Sequence, residues 1–97
     1  MTQNERLQLF QRALEGVYRL EVRNPGYPPL ESIHNQLLYL IALESGQAVN
    51  PENLKKINIG VLTAREVERR SDETANLLYL VATEVDAMML ERRIPQE

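Results

Sequence analysis

The chain has 97 residues, 43% of them hydrophobic and 26% charged, so it is expected to form one globular domain. A chain this short buries only about 60–65% of its unfolded surface and has one small core. Eleven basic against fourteen acidic residues give a net charge of -3, which opposes phosphate backbones and anionic lipid, so neither nucleic acid nor a membrane is an expected partner. Cysteine is absent, which excludes a disulfide framework or a thiolate metal site, and no run approaches the roughly eighteen apolar residues of a membrane helix. The cytoplasm is the expected compartment.

Between Thr2 and Arg23, Leu7, Phe10, Leu14 and Val17 recur at three and four residues, and Ala13 and Leu20 widen the stripe. That spacing predicts an amphipathic helix with Arg12, Glu15 and Arg19 opposite. Asn24-Pro25-Gly26 stops it, because proline lacks an amide hydrogen and glycine turns the chain cheaply. A second helix is expected from Pro28 to Ser45, with Leu30, Ile33, Leu37, Leu40 and Ile41 inward and Glu31, Ser32, Asn35, Tyr39 and Leu43 outward. Gly46 is its stop. Asn50-Pro51-Glu52 reads as the cap, first residue and first-turn acid of a third helix. Its expected inward set is Leu54, Ile57, Val61 and Ala64, with Ile59 and Leu62 on the far side and Gly60 permitting a close crossing. Ser71-Asp72-Glu73 opens a fourth helix that turns Leu78, Val81, Val85 and Met88 inward and Tyr79, Leu80, Thr83 and Asp86 outward, and that is expected to fray near Pro95. Four helices of similar length joined by three short connections predict an all-α fold, an antiparallel bundle of four helices. The tetrapeptide LLYL occurs at 37–40 and again at 77–80, but the first and third helices match too loosely for a duplicated hairpin.

No catalytic pattern competes for these residues. His34 is the only histidine, so no histidine metal set or serine–histidine–acid arrangement with a spare base can be assembled, and the ring is expected to be partly buried. Glu31, Glu44, Glu84 and Asp86 are scattered on helices with no glycine-rich loop beside them, and read as solvated surface acids. Lys55-Lys56, Arg69-Arg70 and Arg92-Arg93 are basic pairs, two of them at helix C-termini where the dipole favours them, and no aromatic residues interleave them. Met88 and Met89 read as core filler. The expectation is therefore a protein that is not an enzyme, takes no cofactor or metal, and works through a binding face. Tyrosine suits such faces because it brings apolar area with a polar tip at little entropic cost.

The residues Arg23, Pro25-Gly26-Tyr27, Leu30, Ser32, Gln36-Leu37 and Tyr39, with Ile59-Gly60 and Arg65-Glu66 later, resemble the small helical immunity proteins of bacterial type VI secretion. The group they resemble neutralises an effector that hydrolyses NAD(P). The likeness covers roughly residues 5 to 85. It implies a cytoplasmic inhibitor that binds the catalytic domain of a cognate toxin and blocks its active site. The partner-binding residues expected on this reading are Tyr27, Glu31, Asn35, Tyr39, Leu43, Tyr79, Thr83 and Asp86. His34 and Asn35 stand where charged residues are expected in the relatives, and Pro28-Pro29 stiffens the entry to the second helix more than their pattern does. The rival expectation is a homodimeric helical adaptor or regulator without a toxin partner, which self-associates through the same strip together with Ile59 and Leu62.

Overall fold

The computed structural model describes residues 1–94, and all regular structure among them is helical. Helix α1 (Gln3–Arg23) opens on a reciprocal cap, in which Thr2 Oγ1 accepts from the Glu5 amide at 3.2 Å and the Glu5 carboxylate accepts from the Thr2 amide at 2.8 Å. The Asn24 turn ends it, and Gly26 supplies the left-handed residue, φ 72°. Helix α2 (Pro28–Glu44) starts on two prolines, whose missing amide hydrogens would have had no partner in a first turn. It closes with the Gln47 amide on Ala42 O and the Gly46 amide on Leu43 O, Gly46 being left-handed at φ 83°. Helix α4 (Asp72–Glu91) begins where Ser71 Oγ accepts from the Thr74 amide, and ends at Glu91; Pro95 lies outside the described residues.

The third helix is interrupted. Asn50 caps a short 3₁₀ helix (Pro51–Lys56), Ile57 is extended, and α3 (Ile59–Leu62) restarts the winding and runs into a π turn (Thr63–Val67). A helical wheel carried through from Asn50 assumes one constant angular step. A 3₁₀ turn, an extended residue and a π turn each break that step, so the phase is lost. The residues turned inward are Leu54, Ile59, Thr63 and Val67, all fully buried. The expected inward set fails beyond Leu54: Val61 is 57% exposed, Ala64 is exposed and Ile57 only half-buried. Ile59 was expected on the far side, and its burial removes it from any strip available for self-association.

Contacts between side chains give the topology. Gln3 reaches Glu44 O and Glu21 pairs with His34, so α1 and α2 are antiparallel. Arg6 reaches Glu84 and Glu91 while Gly16 lies against Thr74, so α1 and α4 are antiparallel as well. Gln36 bonds Asn58 and Tyr79 bonds Glu68, which places the third segment between α2 and α4. The ring α2–α1–α4–third segment closes an antiparallel four-helix bundle around Phe10, Leu30, Ile33, Leu37, Leu40, Leu78, Val81 and Met88. The outward set Arg12, Glu15 and Arg19 is exposed as expected, and Met89 is buried beside Met88.

Three expectations change. Ile41 is only half-buried, whereas Leu43 is 5% exposed: after Gly46 the chain folds back, and Tyr39 Oη holds Asn50 O at 2.5 Å, covering that end of α2. Glu44 and Glu84 are not solvated acids. With Glu91 they surround the buried Arg6 guanidinium at 3.4, 3.0 and 2.8 Å, tying together α1, α2 and α4 at one end of the bundle. The hydrogen bond to Glu91 pushes the Arg6 pKa up, and Arg6 in turn holds the Glu91 carboxyl below the usual carboxylate range. Finally, the tight helix crossing is at Gly16 rather than Gly60. A β-carbon on Gly16 would stand 2.7 Å from Thr74 Oγ1, whereas on Gly60 its nearest neighbour, Ala82 Cβ, would be 3.6 Å away.

Candidate functional site

Asn50 and the break at Ile57-Asn58 decide what happens on the outer face of α2. Because the third segment folds back at Gly46 and then pauses, its 3₁₀ helix turns Leu54 into the core and leaves Asn53 and Lys56 on the side that flanks α2. Two side-chain links fasten it there. Tyr39 Oη donates to Asn50 O, and the Gln36 carboxamide pairs with Asn58, accepting from its amide at 2.9 Å and donating to its Oδ1 at 2.7 Å.

Between the two walls lies an open groove of about 560 Å³. Pro28, Glu31, Ser32, Asn35, Gln36 and Tyr39 line it from α2, and Asn53, Lys56 and Ile57 from the opposite wall. Three of the sequence-predicted site residues, Glu31, Asn35 and Tyr39, are therefore brought together. Glu31 and Asn35 are exposed at the rim. Tyr39 was expected to be exposed as well, but its ring is half-buried and packs on the core, and burial pushes its phenol pKa up.

The other predicted residues lie elsewhere. Leu43 belongs to the core and offers no surface to a partner. Tyr27 is half-buried at the entry of α2: its hydroxyl donates to the Glu66 carboxylate at 2.5 Å, and the Arg70 guanidinium stacks 4.9 Å from its ring centre. That links the Pro25-Gly26-Tyr27 turn to the π turn of the third segment, rather than to α1 as its position in the chain suggests. Tyr79, Thr83 and Asp86 are on α4, diagonally across the ring from α2. Tyr79 Oη donates to Glu68 at 2.5 Å, which raises its pKa, Thr83 Oγ1 donates to Tyr79 O at 3.1 Å, and Asp86 is exposed.

Sequence reasoning missed Asn53, Lys56 and Ile57, because the groove exists only once the third segment lies against α2. It also missed exposed apolar side chains on α1 and α2, where Tyr18 and Val22 are 60% and 64% exposed and Leu38 is 46% exposed. Tyr18 and Val22 stand four apart, a spacing that could have been read as a second stripe on that helix. His34 lies in this region, half-buried, with Nδ1 2.5 Å from a Glu21 carboxylate oxygen. Among the described residues no group of three or more histidine, aspartate or glutamate side chains is arranged to hold a metal ion. No described helix is long and apolar enough to cross a membrane.

Comparison with curated proteins and with solved structures returns no match. The family model described as Tsi6 matches residues 5–87, which takes in all of the groove and the whole ring of helices apart from the first two residues of α1 and the last turn of α4. Tsi6 is a family of type VI secretion immunity proteins and not a family of enzymes. An immunity protein has a cognate toxin as its partner, and this chain, matched over most of its length, belongs to the Tsi6 family.

Proposed function

We propose that this protein is a single-domain, cytoplasmic immunity protein that seats itself on the catalytic domain of a cognate secreted toxin and closes its active site. The toxin is one that consumes a nucleotide, NAD(P) being the substrate suggested by the resemblance of the PGY turn and the helix after it. The observation that carries the reading is the convergence of Glu31, Asn35 and Tyr39 on one open groove in a member of an immunity family. A net charge of -3 suits a cleft that binds a phosphate-bearing ligand and is therefore basic. A standard interface buries about 1,200–2,000 Å² in total, which the outer face of α2 and the 3₁₀ wall can supply together with their rims.

Co-expression tests this directly. Cells that make the cognate toxin domain are expected to grow and to keep their NAD(P) when the chain is present. Equal sensitivity with and without it would end the proposal, while restored growth under a toxin that leaves NAD(P) untouched would remove only the substrate. Tyr18, Val22 and Leu38 motivate the second reading, a homodimeric adaptor built on the α1–α2 side. Light scattering of the pure protein separates the two, since a constitutive dimer without toxin affinity supports only the adaptor.

A further inference from the structure

The carboxylates Glu21, Glu44, Glu66, Glu84 and Glu91 each have an internal partner. Glu31 does not: among the described residues it enters no ion pair, nor does Lys56, although both are exposed and line one groove. Glu31 stands on the α2 wall and Lys56 on the 3₁₀ wall, so the groove is negative on one side and positive on the other. The same groove is lined by the apolar surfaces of Pro28, Tyr39 and Ile57. Because Tyr39–Asn50 and Gln36–Asn58 fasten the walls before any partner arrives, binding does not have to order them.

We propose that this groove is the specificity-determining part of the toxin interface, and that it takes a projecting toxin segment. That segment carries a basic side chain opposite Glu31, an acidic side chain opposite Lys56, and an apolar residue between them. The proposal rests on the immunity reading above. Charge complementarity of this kind rejects wrong partners as strongly as it selects the right one, since a reversed pair places like charges together. A second copy of this chain is a poorer occupant. A two-fold contact sets the same patch against itself, so two concave grooves would meet and enclose a void instead of filling one.

The test uses the full chain, a catalytically inactivated cognate toxin domain, and titration calorimetry with Glu31→Lys and Lys56→Glu. Both side chains are exposed, but Glu31 stands in the first turn of α2 and Lys56 in the last turn of the 3₁₀ helix, so each reversal opposes a helix dipole and should lower the melting temperature by about 5 °C while the chain stays folded at the assay temperature. Each is expected to lower affinity about tenfold or more. The two substitutions change the net charge in opposite directions, so weakening by both is a local effect and not long-range steering, which would improve one of them. Unchanged or improved affinity in either variant, measured against an unaltered chain that binds, overturns the groove proposal and leaves the immunity reading standing. No binding by the unaltered chain overturns both. A variant that changes the oligomeric state by light scattering while the toxin contact persists assigns the groove to a second copy, and overturns the proposal as well.

Discussion

Arg6 carries a role that nothing in the sequence pattern singles out. In the bundle its side chain is 8% exposed and faces three carboxylates from two other helices. Removing a buried cation leaves its partners uncompensated, so Arg6→Met is expected to cost about 3 kcal/mol. Thermal melting should show a loss of roughly 10 °C or more. A change of less than 2 °C would mean that solvent already satisfies the cluster. The acid limb of stability has the same origin. Arg6 holds the Glu91 carboxyl below its ordinary value, and the Thr2 amide does the same for Glu5. The native state therefore binds fewer protons than the unfolded chain in that range. This contribution is complete above the ordinary carboxylate range, near pH 4–5, and is lost as pH falls through the lower folded values. Melting temperature should decline over that window, and Glu91→Gln should flatten the decline only slightly, because its side chain is 58% exposed and well screened.

At the scale of the element, the two helical glycines make opposite predictions. On α1, Gly16→Ala would drive a methyl group into Thr74, a short β-branched side chain that is itself 4% exposed and has little room to yield. A destabilisation of about 1–2 kcal/mol is expected after the helical preference of alanine is counted. Gly60→Ala meets only ordinary contact with Ala82 and should stabilise by about 0.5 kcal/mol. Paired denaturant titrations decide it, and a stabilised Gly16→Ala would show that α1 and α4 can separate at no cost. The repeated tetrapeptide makes a related point. At 37–40 it buries its first and last leucines, whereas at 77–80 it buries only its second residue, so one short sequence sits in two phases. Local composition made both stretches helical, and the neighbouring helices chose which side faced inward.

In the whole molecule, function depends on two segments that the chain separates by a loop. The α2 wall of the groove was legible as a polar outer face, while the opposite wall was not, because a 3₁₀ helix that stops at Ile57-Asn58 replaces the continuous helix and sets Asn53, Lys56 and Ile57 beside α2. Gln36 is central to that arrangement without needing to touch a partner. Gln36→Ala removes both bonds to Asn58, which is itself exposed and can bond to water, so stability should fall by less than about 1 kcal/mol. Toxin affinity should fall about three- to tenfold as the free wall loses its fixed position. Surface plasmon resonance alongside a melting curve separates the two effects, and undiminished affinity would show that the links do not preorganise the groove.

The sequence by itself determined α1, α2 and α4 with their stops, the caps at Asn50 and Ser71, the buried stripe of α4 and most of those of α1 and α2, and the outer placement of Glu31 and Asn35. These follow from periodicity and from the local chemistry of threonine, asparagine, serine, proline and glycine, which act within a few residues of their own position. Only the tertiary structure decided that Arg6 is buried, that Leu43 is core, that Tyr27 bonds to the π turn of the third segment, and that Tyr39 shares a groove with Lys56. Each of these depends on a partner at least ten residues away, brought close by the backward fold after Gly46 or by the closure of the ring, and a helical wheel contains no information about either.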